Sequence, residues 1–362
     1  MKTGTLISGI FFLSLLIQPA QSGALDSLRI NRIQVIGSHN SYKKAIEPNL
    51  YKALAAINPA AMHGLEYAHI PIPDQLDLGL RNLEIDVYAD SSGGRYATPK
   101  GLSMAEAVEA YNADGIMNKP GFKVFHVPDI DFRSSCATLE LCLRQLKQWS
   151  DKHPGHTPVF ITLEAKDSEE ERPDRTNPEK FTSKTFDMLD NCIRQSLGDG
   201  KLITPDKVRG RYATLNEAVL NDNWPLLKEA KGKFIFILDQ KDRKRDMYVK
   251  GHPSLKNRVM FVNAEPATPE AATLIRNNPK DTENIKKLVR QGYIVRTRAD
   301  ADTRQARTND YSSFVAACSS GAQIITTDYY LKSTFFDSDY QASFADGSYV
   351  RGNPVLKGIE SH

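Results

Sequence analysis

Short runs rich in Val, Ile, Phe and Leu alternate with amphipathic stretches along the whole chain, and this alternation restricts the possible fold more than any other feature. Eight runs stand out, at 33–36, 82–87, 123–126, 159–164, 233–239, 259–263, 293–297 and 323–326. Each has the length and β-branched or aromatic content of a strand. The stretches at 138–150, 179–197, 269–277, 283–291 and 310–319 carry helical periodicity instead. Thr268-Pro269 and Asn309-Asp310 read as an N-cap and first turn, and Asp281-Thr282-Glu283-Asn284 as a polar helix start. Strands alternating with helices mean parallel βαβ units, and eight of them predict an α/β fold closed as a (β/α)8 TIM-like barrel.

The chain has 362 residues, 40% of them apolar and 25% charged, which suits one large domain. Met1-Lys2-Thr3-Gly4 followed by an apolar run to Ile17, with Ala20-Gln21-Ser22 as a small-residue cleavage site, reads as a signal peptide over residues 1–22. The alternative is an uncleaved anchor. The expectation is a secreted protein, extracellular or periplasmic, whose single barrel domain spans 23–362, with the tail from Asp337 wrapping the outside as a C-terminal extension. Four cysteines fit an oxidising compartment: Cys136 and Cys142 can close a small loop, leaving Cys192 and Cys318 for a second bridge. Other pairings, or free buried thiols, remain open. A formal net charge of +3 argues against a nucleic-acid surface, and nothing points to an obligate protein partner.

Polar groups cluster at the ends of the apolar runs, where parallel α/β folds keep their chemistry. Glu84 and Asp86 stand two apart on a strand, so both point to one face. Adjacent carboxylates repel in a barrel interior, and a bound cation removes that cost. Glu164, at another strand end, and the Asn40 amide complete an all-oxygen donor set that suits Ca²⁺, one ion, or less well Mg²⁺, and disfavours zinc. Taken singly, Glu84-x-Asp86 would be a salt-bridged strand end with Arg81, and Asn40 a turn residue. His39 and His126 end different strands; two histidines beside a cation imply proton transfer and charge stabilisation, as in attack on a phosphodiester. The long connections at 90–120 and 166–178 follow carboxylate-ending strands and read as substrate-contacting or lid loops.

His39-Asn40-Ser41-Tyr42, Gly79-Leu80-Arg81-Asn82-Leu83-Glu84-Ile85-Asp86, Phe125-His126 and Ile161-Thr162-Leu163-Glu164 together resemble the catalytic barrel of calcium-dependent phosphoinositide-specific phospholipase C. The chain after residue 22 is most similar to the secreted, single-domain microbial branch of that family, and Cys136-x5-Cys142 with His153-Pro154-Gly155-His156-x-Pro158 adds to the likeness. The resemblance implies a barrel of the phospholipase C-like phosphodiesterase type. It implies Asn40, Glu84, Asp86 and Glu164 as calcium ligands, His39 as stabiliser of the phosphoryl transition state and His126 as general acid for the diacylglycerol leaving group. The nucleophile would be the inositol 2-hydroxyl, with Glu84 as its base, and the partner a phosphoinositide at a membrane surface touched transiently by the barrel rim.

The chain departs from the eukaryotic enzymes in lacking room for their accessory domains and in lacking a clear pair of lysines for ring phosphates. Lys166, two past Glu164, Lys241 at the fifth strand's end, and Arg296 and Arg298 on the seventh are the candidate phosphate or inositol contacts. Ion pairs with Asp300 and Asp302 are the alternative for the two arginines. A glycerophosphodiester phosphodiesterase shares the barrel, the Glu-x-Asp strand and the cation, but follows its first histidine with Arg-Gly where Asn40-Ser41 stands here. A non-catalytic barrel that binds inositol phosphate or glycan is the third reading.

Overall fold

The computed structural model describes residues 25–167 and 174–356; the expected signal peptide at 1–22 lies outside them. Ten strands form one sheet: β1 (Ile33–Ser38), β2 (Asn82–Asp90), β3 (Gly121–Lys123), β4 (Val159–Ala165), β5 (Phe234–Leu238), β6 (Phe261–Val262), β7 (Thr273–Ile275), β8 (Ile294–Arg298), β9 (Ile324–Thr327) and β10 (Val350–Gly352). Eight of them run parallel in the order β6-β5-β4-β2-β1-β9-β8-β7, and a bridge between Asn263 and Thr273 brings the two ends together into a nearly closed barrel. Every residue of β1, β2 and β5 is buried, as expected of parallel strands covered on both faces.

The covering helices owe their placement to amphipathic stripes and capped starts. Leu139–Lys152 begins where the Thr138 hydroxyl accepts from the Leu141 N–H, and it buries Leu139, Leu143, Leu146 and Trp149. Ser183–Leu197 begins with a reciprocal pair, the Thr182 side chain to the Thr185 backbone and the reverse. Trp149 and Trp224 are both core residues.

Three expectations are corrected. The run at 123–126 is no barrel strand: β3 turns back antiparallel against the last three residues of β2, pairing Tyr88 with Lys123 and Asp90 with Gly121. The eighth parallel strand is β7, inside the stretch read as a helix at 269–277. Its pairing is fixed by neighbours, since the Asn263 side chain accepts from Ile275 N–H and Thr273 Oγ1 donates to the Val262 carbonyl. Cys136 and Cys142 form a disulfide, but Cys192 and Cys318 are free thiols on helices that pack into different hydrophobic clusters.

The C-terminal segment does more than wrap the outside. β10 enters the sheet antiparallel to β1, pairing Ile33 with Gly352 and Val35 with Val350, and so occupies the seam between β1 and β2. Those two barrel strands then meet only at Gly37 and Asn82. A Cβ on Gly37 would lie 2.3 Å from the Asn82 carbonyl oxygen, so this close approach requires glycine. Among the described residues no helix is long and apolar enough to cross a membrane.

Candidate active site

The turn that follows β1 builds one wall of the site, and each residue of His39-Asn40-Ser41-Tyr42 has a separate task. Successive side chains on a strand face opposite ways. Asn40 breaks that rule with φ +49°, a left-handed conformation that asparagine tolerates, so His39 and Asn40 both line one cavity of ≈ 210 Å³. Ser41 ties the turn to β2, accepting from the Glu84 N–H at 2.8 Å and donating its own N–H to the Glu84 carbonyl. The Asn40 Nδ2 donates to the Tyr67 hydroxyl and Tyr42 donates to Asn40 Oδ1 at 3.3 Å, which fixes the amide's orientation.

Glu84 and Asp86 point from β2 into the barrel, and the register pairs Asp86 with Glu164 on β4. Carboxylate oxygens of these three residues lie within 4.8 Å of one another. Both oxygens of Asp86 are buried without a hydrogen-bond donor. Burial pushes its carboxyl up to about 7, with Glu164 adding to the rise. Orphaned buried oxygens beside two further carboxylates and an amide fit an oxygen-loving divalent cation. The two nearest cations differ in character. Arg296 is buried and bonded to Glu84 Oε2 and, at 2.6 Å, to Asn277. The Lys166 ammonium sits 3.2 Å from Glu164 and 3.4 Å from Asp86 at the edge of the cavity. Burial alone would lower the lysine's pKa, but the two carboxylates raise it.

His126 faces the same cavity on a turn that carries its own orienting group. Its Nδ1 is 2.8 Å from Asp131 Oδ2. Asp131 in turn lies 3.3 Å from the fully buried Lys43 ammonium, which also donates to the carbonyls of Tyr67 and Leu65. Burial would raise the Asp131 carboxyl, yet Lys43 and His126 hold it below its ordinary value.

His39 Nδ1 is 2.9 Å from Asp328 Oδ1 and 3.1 Å from Arg298 Nη2, while Nε2 faces Glu84 Oε1 at 3.6 Å. Burial, with Arg298 second, lowers the imidazole well below its ordinary pKa, so it rests neutral. The neutral ring meets an acceptor, Asp328, and a donor, Arg298, at Nδ1, and it turns Nε2 toward Glu84. Asp300 anchors Asp328, accepting from its backbone N–H at 2.9 Å.

The structure therefore brings together His39, Asn40, Asp86, Glu164, His126, Lys166 and Arg298 on one cavity, with Glu84 at its floor. Arg296 is spent on Glu84 rather than paired with Asp300 or Asp302, and Lys241 is exposed and does not line this cavity. Asp131 and Asp328 escaped the sequence reading; their signal is only that an acid stands five residues after His126, and another just past the last barrel strand. A larger cavity of ≈ 1030 Å³ lies among the segments that follow β1, β2, β3 and β4, lined by Leu54, Ile57, Met104, Val127, Pro128 and Ile130 among others. Its charged lining residues are Lys100, Asp129, Asp174 and Arg175, with no histidine among them, whereas the three-carboxylate group and both histidines stand on the smaller cavity.

A sequence profile described as "Phosphoinositide phospholipase C, Ca2+-dependent" matches residues 28–354. Among curated proteins no match is found. Among solved structures, the calcium-dependent phosphoinositol-specific phospholipase C from a Gram-negative Pseudomonas sp., a myoinositol complex, superposes with a TM-score of 0.56 at 18% identity, over 92% of this chain and 99% of that one. The Ca²⁺-dependent phosphatidylinositol-specific phospholipase C of Streptomyces antibioticus superposes with a TM-score of 0.54 at 19% identity, over 83% of this chain and 95% of that one. At such identities the likeness speaks for the fold, while the profile speaks for the family.

Proposed function

We infer from the chain's family, the calcium-dependent phosphoinositide phospholipases C to which it belongs across residues 28–354, that it cleaves the glycerol-phosphate ester of phosphatidylinositol-type lipids. The observation that carries this reading is Asp86, whose two buried, donorless oxygens sit beside Glu84 and Glu164 on a cavity that also holds two histidines. Asn40, Glu84, Asp86 and Glu164 would hold one Ca²⁺. Bound there, the ion supplies charge neutralisation for a non-bridging phosphate oxygen and eases loss of the nucleophile's proton.

The chain's own residues do the rest. The inositol 2-hydroxyl oxygen bonds to phosphorus, the phosphorus bond to the glycerol oxygen breaks, and His126 gives its proton to the leaving alkoxide. Asp131 orients that imidazole through Nδ1, aiming Nε2 at the substrate. The products are diacylglycerol and a cyclic inositol phosphate, which water can open. Glu84 takes the 2-hydroxyl proton in the first reading, through Oε1, since Oε2 is bonded to Arg296. A second reading gives that proton to His39 Nε2, and the lowered imidazole with Asp328 at Nδ1 favours it. Arg298 and Lys166 offer positive charge to the phosphate.

The finer expectations keep their place as proposals: export through residues 1–22, and contact of the rim with a membrane surface. Ile57, Met104 and Val108, large apolar side chains left exposed on the loops after β1 and β2, support the latter. The test is phosphorus NMR of products from phosphatidylinositol and from glycerophosphocholine, with calcium and with chelator. A cyclic phosphate formed from the first lipid alone, and only with calcium, is expected; turnover of glycerophosphocholine would favour the phosphodiesterase reading, and chelator-resistant turnover would remove the metal.

A further inference from the structure

Two cations touch the carboxylate cluster, and they are built for different lives. Arg296 is 3% exposed, bonded to Glu84 at one nitrogen and to Asn277 at another, with no route out. It neutralises Glu84 permanently. Lys166 is anchored by its backbone N–H, which donates to the Val87 carbonyl at 2.9 Å, and its ammonium holds Glu164 Oε1 at 3.2 Å. Its side chain is 26% exposed against 1% for Asp86, and it opens onto the cavity. With Glu84 matched to Arg296, the remaining pair, Asp86 and Glu164, faces a single ammonium among the described residues and stays one negative charge in excess. A divalent cation between those carboxylates would cancel the excess, but the ammonium, 3.2 and 3.4 Å from them, already stands there.

We propose that Lys166 is a displaceable counter-ion of the metal site, competing with Ca²⁺ for Asp86 and Glu164 and released by it into the cavity to meet the substrate's phosphate. This rests on the functional reading above and adds to it a coupling between cation and anion. Without the metal, Lys166 is bound to carboxylates and withheld from the phosphate. With the metal, the same ammonium is free of these carboxylates, and its four-carbon stem is long enough to turn toward a phosphodiester in the cavity. The site thus holds its anion-binding charge in reserve until the cation arrives. Arg298, which is held by His39 and Asp328 and not by Asp86 or Glu164, has no such exchange to make.

The experiment is calorimetric titration of CaCl₂ into the chelator-stripped wild-type protein, Lys166→Met and Lys166→Arg, with melting curves in chelator and in saturating calcium. Lys166→Met removes the competitor and should bind Ca²⁺ at least about tenfold more tightly than wild type, while Lys166→Arg keeps the charge and should not. In chelator Lys166→Met should melt below wild type, because Asp86 and Glu164 then face each other unscreened; in calcium the gap should close. Equal or weaker calcium binding by Lys166→Met, with a normal melt in calcium, overturns the inference and leaves the metal site standing. Absence of calcium binding by all three proteins overturns both.

Discussion

Replacing Asp86 by asparagine should stabilise the calcium-free protein and abolish its response to calcium. The carboxyl is buried with both oxygens donorless, and burial lifts its pKa from 3.8 to about 7. Because the folded value lies above the unfolded one, folding favours the protonated form. The stability Asp86 contributes is fully present below about pH 4 and is lost as the pH rises through 7. A rise of about three pH units, at ~1.4 kcal/mol each, amounts to at most about 4 kcal/mol. In chelator, Asp86→Asn should therefore exceed wild type by roughly 1–2 kcal/mol at pH 5 and by up to about 4 kcal/mol at pH 8. Comparing the two proteins cancels the other buried carboxyls with raised values, such as Asp300. Calcium reverses the ranking: at a hundredfold excess over Kd the wild type gains about 2.7 kcal/mol by mass action, and the variant, short of a ligand, does not. Urea unfolding at pH 5, 6, 7 and 8, with chelator and with calcium, measures all of this. A gap that does not change with pH, or a variant less stable than wild type in chelator, refutes the account of Asp86 as a carboxylate kept strained for a cation.

Two further outcomes follow from packing and charge. Lys43→Met leaves Asp131 buried with His126 as its only charged partner, and should cost about 3–5 kcal/mol in urea unfolding, with turnover falling as well because His126 loses its fixed support. Gly37→Ala places a methyl 2.3 Å from the Asn82 carbonyl and must push β1 from β2; a loss of roughly 3 kcal/mol or more is expected by the same measurement, and a neutral result would mean the seam can open freely.

Most of the barrel was legible because its strands are buried on both faces and so read as unbroken apolar runs. The two errors share a cause. β3 and β7 have three residues each, too few to carry a period, and their roles are set by what lies beside them. Val124 and Phe125 are buried as any barrel residue would be, yet the chain there doubles back on β2. Ala271-Ala272-Thr273-Leu274-Ile275 suits a helix until Asn263 claims its backbone. For the site, Glu84-x-Asp86 and Glu164 were readable from alternation at strand ends, and register did the rest. Asp328 was not, since its partnership with His39 crosses 289 residues of sequence. Nor was the division of labour between Arg296 and Lys166: both looked like substrate contacts, and only burial separates a fixed partner from a removable one. Counting cysteines in pairs failed for Cys192 and Cys318, because an even number says nothing about which helix faces which.

The pairing of β10 with β1 has a bearing on how the chain reaches its final shape. Ile33 and Gly352 are neighbours across 319 positions, 352 minus 33, and the pairing runs to Val35, on the same strand that leads into the turn bearing His39 and Asn40. The strand that launches the reactive turn thus gains two of its three pairing partners, β9 and β10, only after nearly all the rest of the polypeptide exists. Contacts of such long range make assembly slow and leave the half-built edge of β1 exposed meanwhile. The same arrangement works as a safeguard, because a chain cut short by even a few tens of residues would have every reactive side chain and still lack the brace that holds the first of them in place.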